Sequence, residues 1–188
     1  MKKLIEWGVA LVGVLFSGWA FAGNAAPLGL ELGVVSYAQV KQQLGSKTVL
    51  SAAGTNQYSG GRMLQSDGAG LEIEGLSEIT FIFDRTDKLA AVLMKMPKGD
   101  GMGDLESSNF KRTLNTLAAK YTLDEKRVPF VGDAYAKLHQ GDAIIELSAP
   151  HMGFGMELRY FTTSFDKAFR QQSSNERAAK ARRQAGAL

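Results

Sequence analysis

The stretch EITFIFDRTDKLAAVLMKM, residues 78–96, limits the folds open to this chain more than any other. Ile79, Phe81 and Phe83 alternate with Thr80, Ile82 and Asp84, so they share one face of a strand. DRTDK supplies a polar turn, and LAAVLMKM returns as the antiparallel partner. A hairpin this apolar on one face needs a cover. The covers on offer are amphipathic helices, which makes the expected class α+β.

The first helix lies in LGLELGVVSYAQVKQQLG, residues 28–45. Ser36 is a good N-cap and Gly45 a good stop. Tyr37, Val40 and Leu44 fall on one helical stripe, with Lys41, Gln42 and Gln43 off it. Between this helix and the hairpin, RMLQ (62–65) and LEIE (71–74) are weaker strand candidates. PKGDGMGD, residues 97–104, is the best internal boundary. After it the pattern restarts. Asn109 begins a helix whose Phe110, Leu114, Leu117 and Tyr121 share a face. VPFVGDAYAKLHQ reads as a strand or bent pair of strands. AIIELS (143–148) and MELRYF (156–161) follow, separated by the turn APHMGFG. A final helix starts at Thr163 or Ser164 and runs through Phe165 and Phe169. The expected architecture is therefore a tandem repeat of a helix followed by about three antiparallel strands. The halves lie at about 27–96 and 105–162. Helices pack on one sheet face, and a C-terminal helix closes a single domain at 23–169.

The N-terminus carries a secretion pattern. Lys2 and Lys3 precede the apolar run Trp7–Phe16, and Ala20-Phe21-Ala22 is a small-x-small cleavage site. Residues 1–22 are expected to be a signal peptide, with Gly23 starting the mature chain. The competing expectation is an uncleaved anchor, which the shortness of the apolar run disfavours. Both tryptophans, Trp7 and Trp19, lie ahead of the cleavage site. The chain has no cysteine, so disulfides, thiolate chemistry and a lipidated cysteine are excluded. The expected location is a bacterial periplasm.

The net charge of +3 comes from the end of the chain. Arg170, Arg177, Lys180, Arg182 and Arg183 crowd the last residues, where Glu176 is the sole acid, and the body is mildly acidic. Nucleic-acid binding is therefore not expected. The residues from 170 onward read as a weakly ordered basic tail. Arg177, Lys180, Arg182 and Arg183 are expected to touch anionic lipid head groups weakly.

Motifs for catalysis are lacking. His139 has only Asp142 nearby in sequence, at i+3, and His151 with Ser148 lacks the G-x-S-x-G elbow of a hydrolase. Neither histidine has a second at metal spacing. Lys98, Gly99, Asp100, Gly101, Gly103 and Asp104 have the wrong order for a phosphate loop. Asp100 and Asp104 match two positions of a calcium loop, with Met102 between them and Lys111 where its closing glutamate belongs. Glu72 and Glu74 are expected on a solvated strand face, and Asp84 and Asp87 bracket a turn. No cofactor or metal is expected, and the chain does not read as an enzyme.

The stretches PLGLELGVVSYAQVKQQLG, ITFIFDRTDKLAAVLMKM and FKRTLNTLAAKY together resemble the β-lactamase-inhibitor-protein-like superfamily. That group includes the outer-membrane assembly lipoproteins of the SmpA/OmlA type. The likeness rests on Gly33, Ser36, Val40, Leu44, Gly45, Phe83 and Asp84, and spans 27 to about 162. It implies a helix-plus-sheet unit, carried in tandem in the inhibitor proteins, and a protein-binding role without catalysis. The missing cysteines separate this chain from both the anchored lipoproteins and the disulfide-bonded inhibitors.

Three functions compete. The first is a periplasmic module that binds another envelope or secreted protein. Its expected contact surface is the outer sheet face, where Thr80, Ile82, Ile144, Arg159 and Phe161 would lie. Truncating Ile82 would then cost much less than truncating Phe81. The second is an inhibitor of an extracytoplasmic hydrolase, of lysozyme or β-lactamase type, using SAPHMGFG or PKGDGMGD as a plug. The third is a small hydrolase.

Overall fold

The computed structural model describes residues 23–99 and 109–185. The expected signal segment 1–22, with Ala20 and Ala22, lies outside the described residues, as do 100–104 of the expected boundary; Gly23 is the first residue described. Among the described residues, no helix is long and apolar enough to cross a membrane.

Among the described residues, eight strands form one antiparallel sheet. In chain order they are β1 (Ser51–Thr55), β2 (Gly60–Ser66), β3 (Glu78–Asp84), β4 (Leu89–Pro97), β5 (Thr122–Arg127), β6 (Ala134–Gln140), β7 (Ala143–Ala149) and β8 (Gly155–Thr162). Their order across the sheet is β1-β2-β3-β4-β8-β7-β6-β5. Each half is a meander that runs from an edge of the sheet to its centre, and the halves join where β4 pairs with β8, from Ala91↔Phe161 to Pro97↔Gly155. Helix α1 (Tyr37–Leu44) precedes the first meander and α2 (Asn109–Ala118) the second. The expected α+β tandem of helix-then-strands is what the chain forms.

Each half holds four strands rather than about three. The additional ones are the edge strands β1 and β5. β1 reads SAAGT, with no apolar alternation, and every residue of β5 is exposed. An edge strand is held mainly by ladder hydrogen bonds to one neighbour, which leave little trace in hydropathy. LEIE is not a strand: residues 71–74 form a loop in which Glu72 adopts a left-handed φ of 55°.

The helix starts follow local chemistry. The Ser36 hydroxyl accepts from Gln39 N–H, while the Gln39 side chain accepts from Ser36 N–H. This closes a reciprocal cap over α1. Val40 and Leu44 are buried, and Tyr37 packs edge-on to Phe83 with ring centroids 5.1 Å apart. Phe110, Leu114, Leu117 and Tyr121 are buried beneath α2 as their spacing predicts. Asp84 caps the β3–β4 turn, accepting from the Thr86 and Lys88 N–H groups. Asp87 in the same turn pairs with Arg62 at 2.7 Å.

One large core lies between the sheet and these helices. It takes Ile79, Phe81 and Phe83 from β3, Ile145 and Leu147 from β7, and Met156, Leu158 and Tyr160 from β8. A second, smaller core lies on the other sheet face. There helix α3 (Thr163–Ala185) folds back from β8 and buries Phe165 against Ile82, Ala90, Ala91 and Phe161.

That second core corrects the expected partner surface. Ile82 and Phe161 do point away from the main core, but they are only 2% and 4% exposed. Phe165 stacks on Phe161 with centroids 5.6 Å apart. The apolar patch on the outer face is the seat of the C-terminal helix. α3 continues as helix through Ala185, and after Arg170 only Gln172 and Ser173 are even half-buried. Alanine, arginine, lysine, glutamine and glutamate are good helix formers, and the docked first turns supply the nucleus.

Candidate functional site

The outer face beyond α3 is a grid of polar side chains. Register places Thr80, Leu93, Arg159, Glu146, Lys137 and Glu125 in one row across six strands. The neighbouring row runs Glu78, Lys95, Glu157, Ser148, Tyr135 and Arg127. Charges alternate along both, and opposite charges across strands are mutually stabilising. Lys95 Nζ meets Glu78 at 2.8 Å. That hydrogen bond outweighs partial desolvation and raises the Lys95 pKa above its ordinary value. Arg159 pairs with Glu157 on its own strand.

Where the grid meets α3, the contacts become tighter. Arg170 bonds both Asp166 at 2.8 Å and Glu146 at 3.0 Å, and the two carboxylate side chains are each 11% exposed. Its hydrogen bond to Asp166 is the main reason the Arg170 pKa is pushed up further. The Tyr135 hydroxyl donates to Glu146 Oε1 at 3.1 Å. Burial, then the Glu146 charge, push the Tyr135 pKa up to about 12. In the main core, burial raises the Tyr160 pKa, with the hydroxyl of Tyr121 adding to it.

These shifts predict an alkaline response. A phenol whose folded pKa is raised contributes stability that is complete below about 10 and is lost as pH climbs through the raised value. Of the five tyrosines, Tyr135 and Tyr160 should stay protonated in the folded protein when an exposed phenol has ionised. A phenolate absorbance titration should therefore show a delayed fraction, part of which disappears in Tyr135→Phe. All five titrating together in folded protein would contradict it.

The three most exposed large apolar side chains gather elsewhere. Phe130 is 98% exposed in the β5–β6 loop, Met152 is 94% and Phe154 84% exposed in the β7–β8 loop, and Val131 stands beside Phe130. These loops leave the same end of neighbouring strands, since Ala134 pairs with Ala149. They are tied together. His151 N–H donates to Asp133 Oδ1 at 2.7 Å, and Lys98 Nζ donates to the Pro150 and His151 carbonyls at 3.0 and 3.2 Å. The Lys98 N–H reaches the Phe154 carbonyl at 2.7 Å. The result is a braced apolar knuckle of two phenylalanines and a methionine standing in solvent. Aromatic groups so exposed on one surface are characteristic of contact sites.

Comparison with protein-family models, with curated proteins and with solved structures found no match.

The residues expected to form a site are spread out. Thr80, Ile144 and Arg159 are half-buried on the outer face, beside the covered Ile82 and Phe161. His139 bonds Asp124 on the neighbouring β5, Nδ1 to Oδ1 at 2.6 Å, rather than Asp142. His151 is an exposed loop residue. Glu72 and Glu74 sit in a loop, where Glu74 faces Arg112 at 3.5 Å. Among the described residues no three His, Asp or Glu side chains converge as a metal site. Arg177, Lys180, Arg182 and Arg183 are exposed along α3.

Of the knuckle, the sequence marks the Met152–Phe154 loop through SAPHMGFG but not the Phe130–Val131 loop. VPFVGDAYAKLHQ, 128–140, reads as a strand or bent pair of strands, whereas the strand β6 begins only at Ala134. Pro129 and Gly132 inside that window were the usable signal: together they mark a loop, and an apolar pair in a loop has no core to fill.

Proposed function

We propose that this protein is a non-catalytic protein-binding module of the bacterial cell envelope, acting in the periplasm after removal of residues 1–22. The braced knuckle of Phe130, Val131, Met152 and Phe154 carries the reading. Two exposed aromatic rings on tethered loops bind with little loss of backbone freedom, and aromatic anchors dominate protein interfaces. The contact surface is thus one end of the sheet and not its outer face, whose apolar part α3 occupies. The tandem helix-plus-sheet build, which the superfamily resemblance implies, supports the same role. The exposed Arg177, Lys180, Arg182 and Arg183 add a weak, salt-sensitive contact with anionic lipid head groups.

The alternative is inhibition of an extracytoplasmic hydrolase. Met152 and Phe154 favour it, since they project from SAPHMGFG, one of the two loops expected to plug a cleft. Capture from periplasmic extract, using the protein and a Phe130→Ser/Phe154→Ser variant, separates the outcomes. A discrete partner should be held by the former and lost by the latter, with both proteins melting alike. A captured hydrolase that loses activity on binding would select inhibition. A partner retained by the variant would rule out the knuckle.

A further inference from the structure

A cleft of about 510 Å³ opens on the inner sheet face where the two halves join. Its floor is Met94 and Met96 of β4 with Met156, Leu158 and Tyr160 of β8. One wall is α2 and the turn after it, through Thr113, Leu117 and Tyr121; the other is Leu28 and Ile73. The volume lies within the usual range of small-ligand sites, roughly 300–1,000 Å³. Three unbranched methionines make a floor that adapts to a flexible guest.

The backbone around the cleft is distorted. Leu28 and Glu72, both at φ 55°, line it. The remaining non-glycine residue with positive φ among those described is Asp87, which sits in a tight turn. A left-handed leucine is costly, and such residues concentrate at ligand sites.

We infer that this cleft binds a single-chain alkyl carboxylate, with the tail along the methionine floor and the head at the rim near Lys120. The floor itself selects the tail. β4 and β8 spend their backbone groups on each other and on β3 and β7. Tyr160 is 5% exposed and packs edge-on to Tyr121, with ring centroids 6.2 Å apart. A peptide laid there would lose water from its amides without new partners, which is expensive; an alkyl chain has none to satisfy. The rim selects the head. Lys120 lines the mouth, lies 5.2 Å from the Tyr121 ring centre and pairs with no carboxylate among the described residues. Arg112 is engaged by Glu74 and Asn109. Glu72 stands on the opposite wall and keeps the head on the Lys120 side. The inference is independent of the knuckle.

Methyl NMR of the purified protein, labelled at methionine, tests it with sodium salts of saturated carboxylates of about eight to fourteen carbons below their micelle concentrations. The Met94, Met96 and Met156 methyls should shift saturably, while Met63 on the outer face and Met152 on the knuckle stay still. Affinity should rise roughly fourfold per methylene until the cleft is full. Thr113→Trp, at a half-buried wall position, should weaken binding at least tenfold on the order expected for a filled site and leave melting unchanged. Lys120→Gln should weaken the carboxylate by up to about fivefold and leave the alcohol of equal length unaffected. Shifts at Met63 or Met152 with a silent floor, no saturation, or undiminished binding by Thr113→Trp would overturn the site. Equal losses for acid and alcohol would overturn the head-group placement.

Discussion

Phe81→Ala is expected to destabilise the protein by about 3–5 kcal/mol. Phe81 is fully buried at the middle of β3. Its strand pairs on both sides, with Leu64 of β2 and Val92 of β4 directly opposite Phe81. Neither neighbour can close over the space a missing ring leaves, because central strands are fixed by two ladders. The loss is therefore transfer energy plus a persistent cavity. Ile82→Ala, one residue on, is the instructive partner. Alternation alone sends Ile82 outward, and outward residues are cheap to truncate. Here α3 covers it, so about 2–4 kcal/mol is expected, within the range for buried Ile→Ala changes. Thr80, also outward but beyond the helix, is the control, and Thr80→Ala should fall within about 0.5–1 kcal/mol. Urea midpoints for the three variants check the order. An Ile82→Ala cost no larger than that of Thr80→Ala would mean that α3 does not sit where the structure has it.

The same pair of residues shows where sequence stops being informative. Period-two alternation identified which face each residue of β3, β7 and β8 takes, because the pleat allows no other arrangement. Helical spacing identified the buried stripes of α1 and α2 equally well. Alternation does not say what covers a face. Ile82 and Phe161 resembled an open patch because their cover comes from Phe165 and Phe169, which begin a helix too polar overall to look like a packing element. The edge strands were hidden for a related reason: β1 and β5 hardly enter the core, so hydropathy never registers them. SAPHMGFG marked one half of the knuckle; the other half, Phe130 and Val131, fell between the two methods. VPFVG combines the apolar composition of a strand with the proline and glycine of a loop, and the two signals point opposite ways. The inner cleft lay further out of reach. It exists because two helices, each sized for its own half, leave the seam between the halves incompletely roofed, and that depends on where the halves meet.

The second large effect should come from α3. Phe165 is 5% exposed, stacked on Phe161 and edge-on to Tyr58 at 6.4 Å. Phe169 extends the contact, 4.9 Å from the Tyr58 ring. Phe165→Ala should cost about 3–5 kcal/mol, since it removes the central ring of the second core and bares Ile82 and Phe161 to water. The helix beyond Arg170 contributes through propensity alone. Cutting the chain after Arg170 keeps Phe165, Phe169 and the bonds from Arg170 to Asp166 and Glu146, so the melting temperature should barely move. Cutting before Phe165 removes all of them and leaves Glu146 half-stripped of water without its cation, which is strongly destabilising for a buried carboxylate. Thermal melts of the two truncations and of Phe165→Ala should therefore split into one near-native and two deeply destabilised forms. If the cut after Arg170 behaved like Phe165→Ala, the distal turns would be docked rather than solvated. If Phe165→Ala were near neutral, α3 would be a loose cover, and Ile82 and Phe161 would return as the partner surface that alternation first suggested.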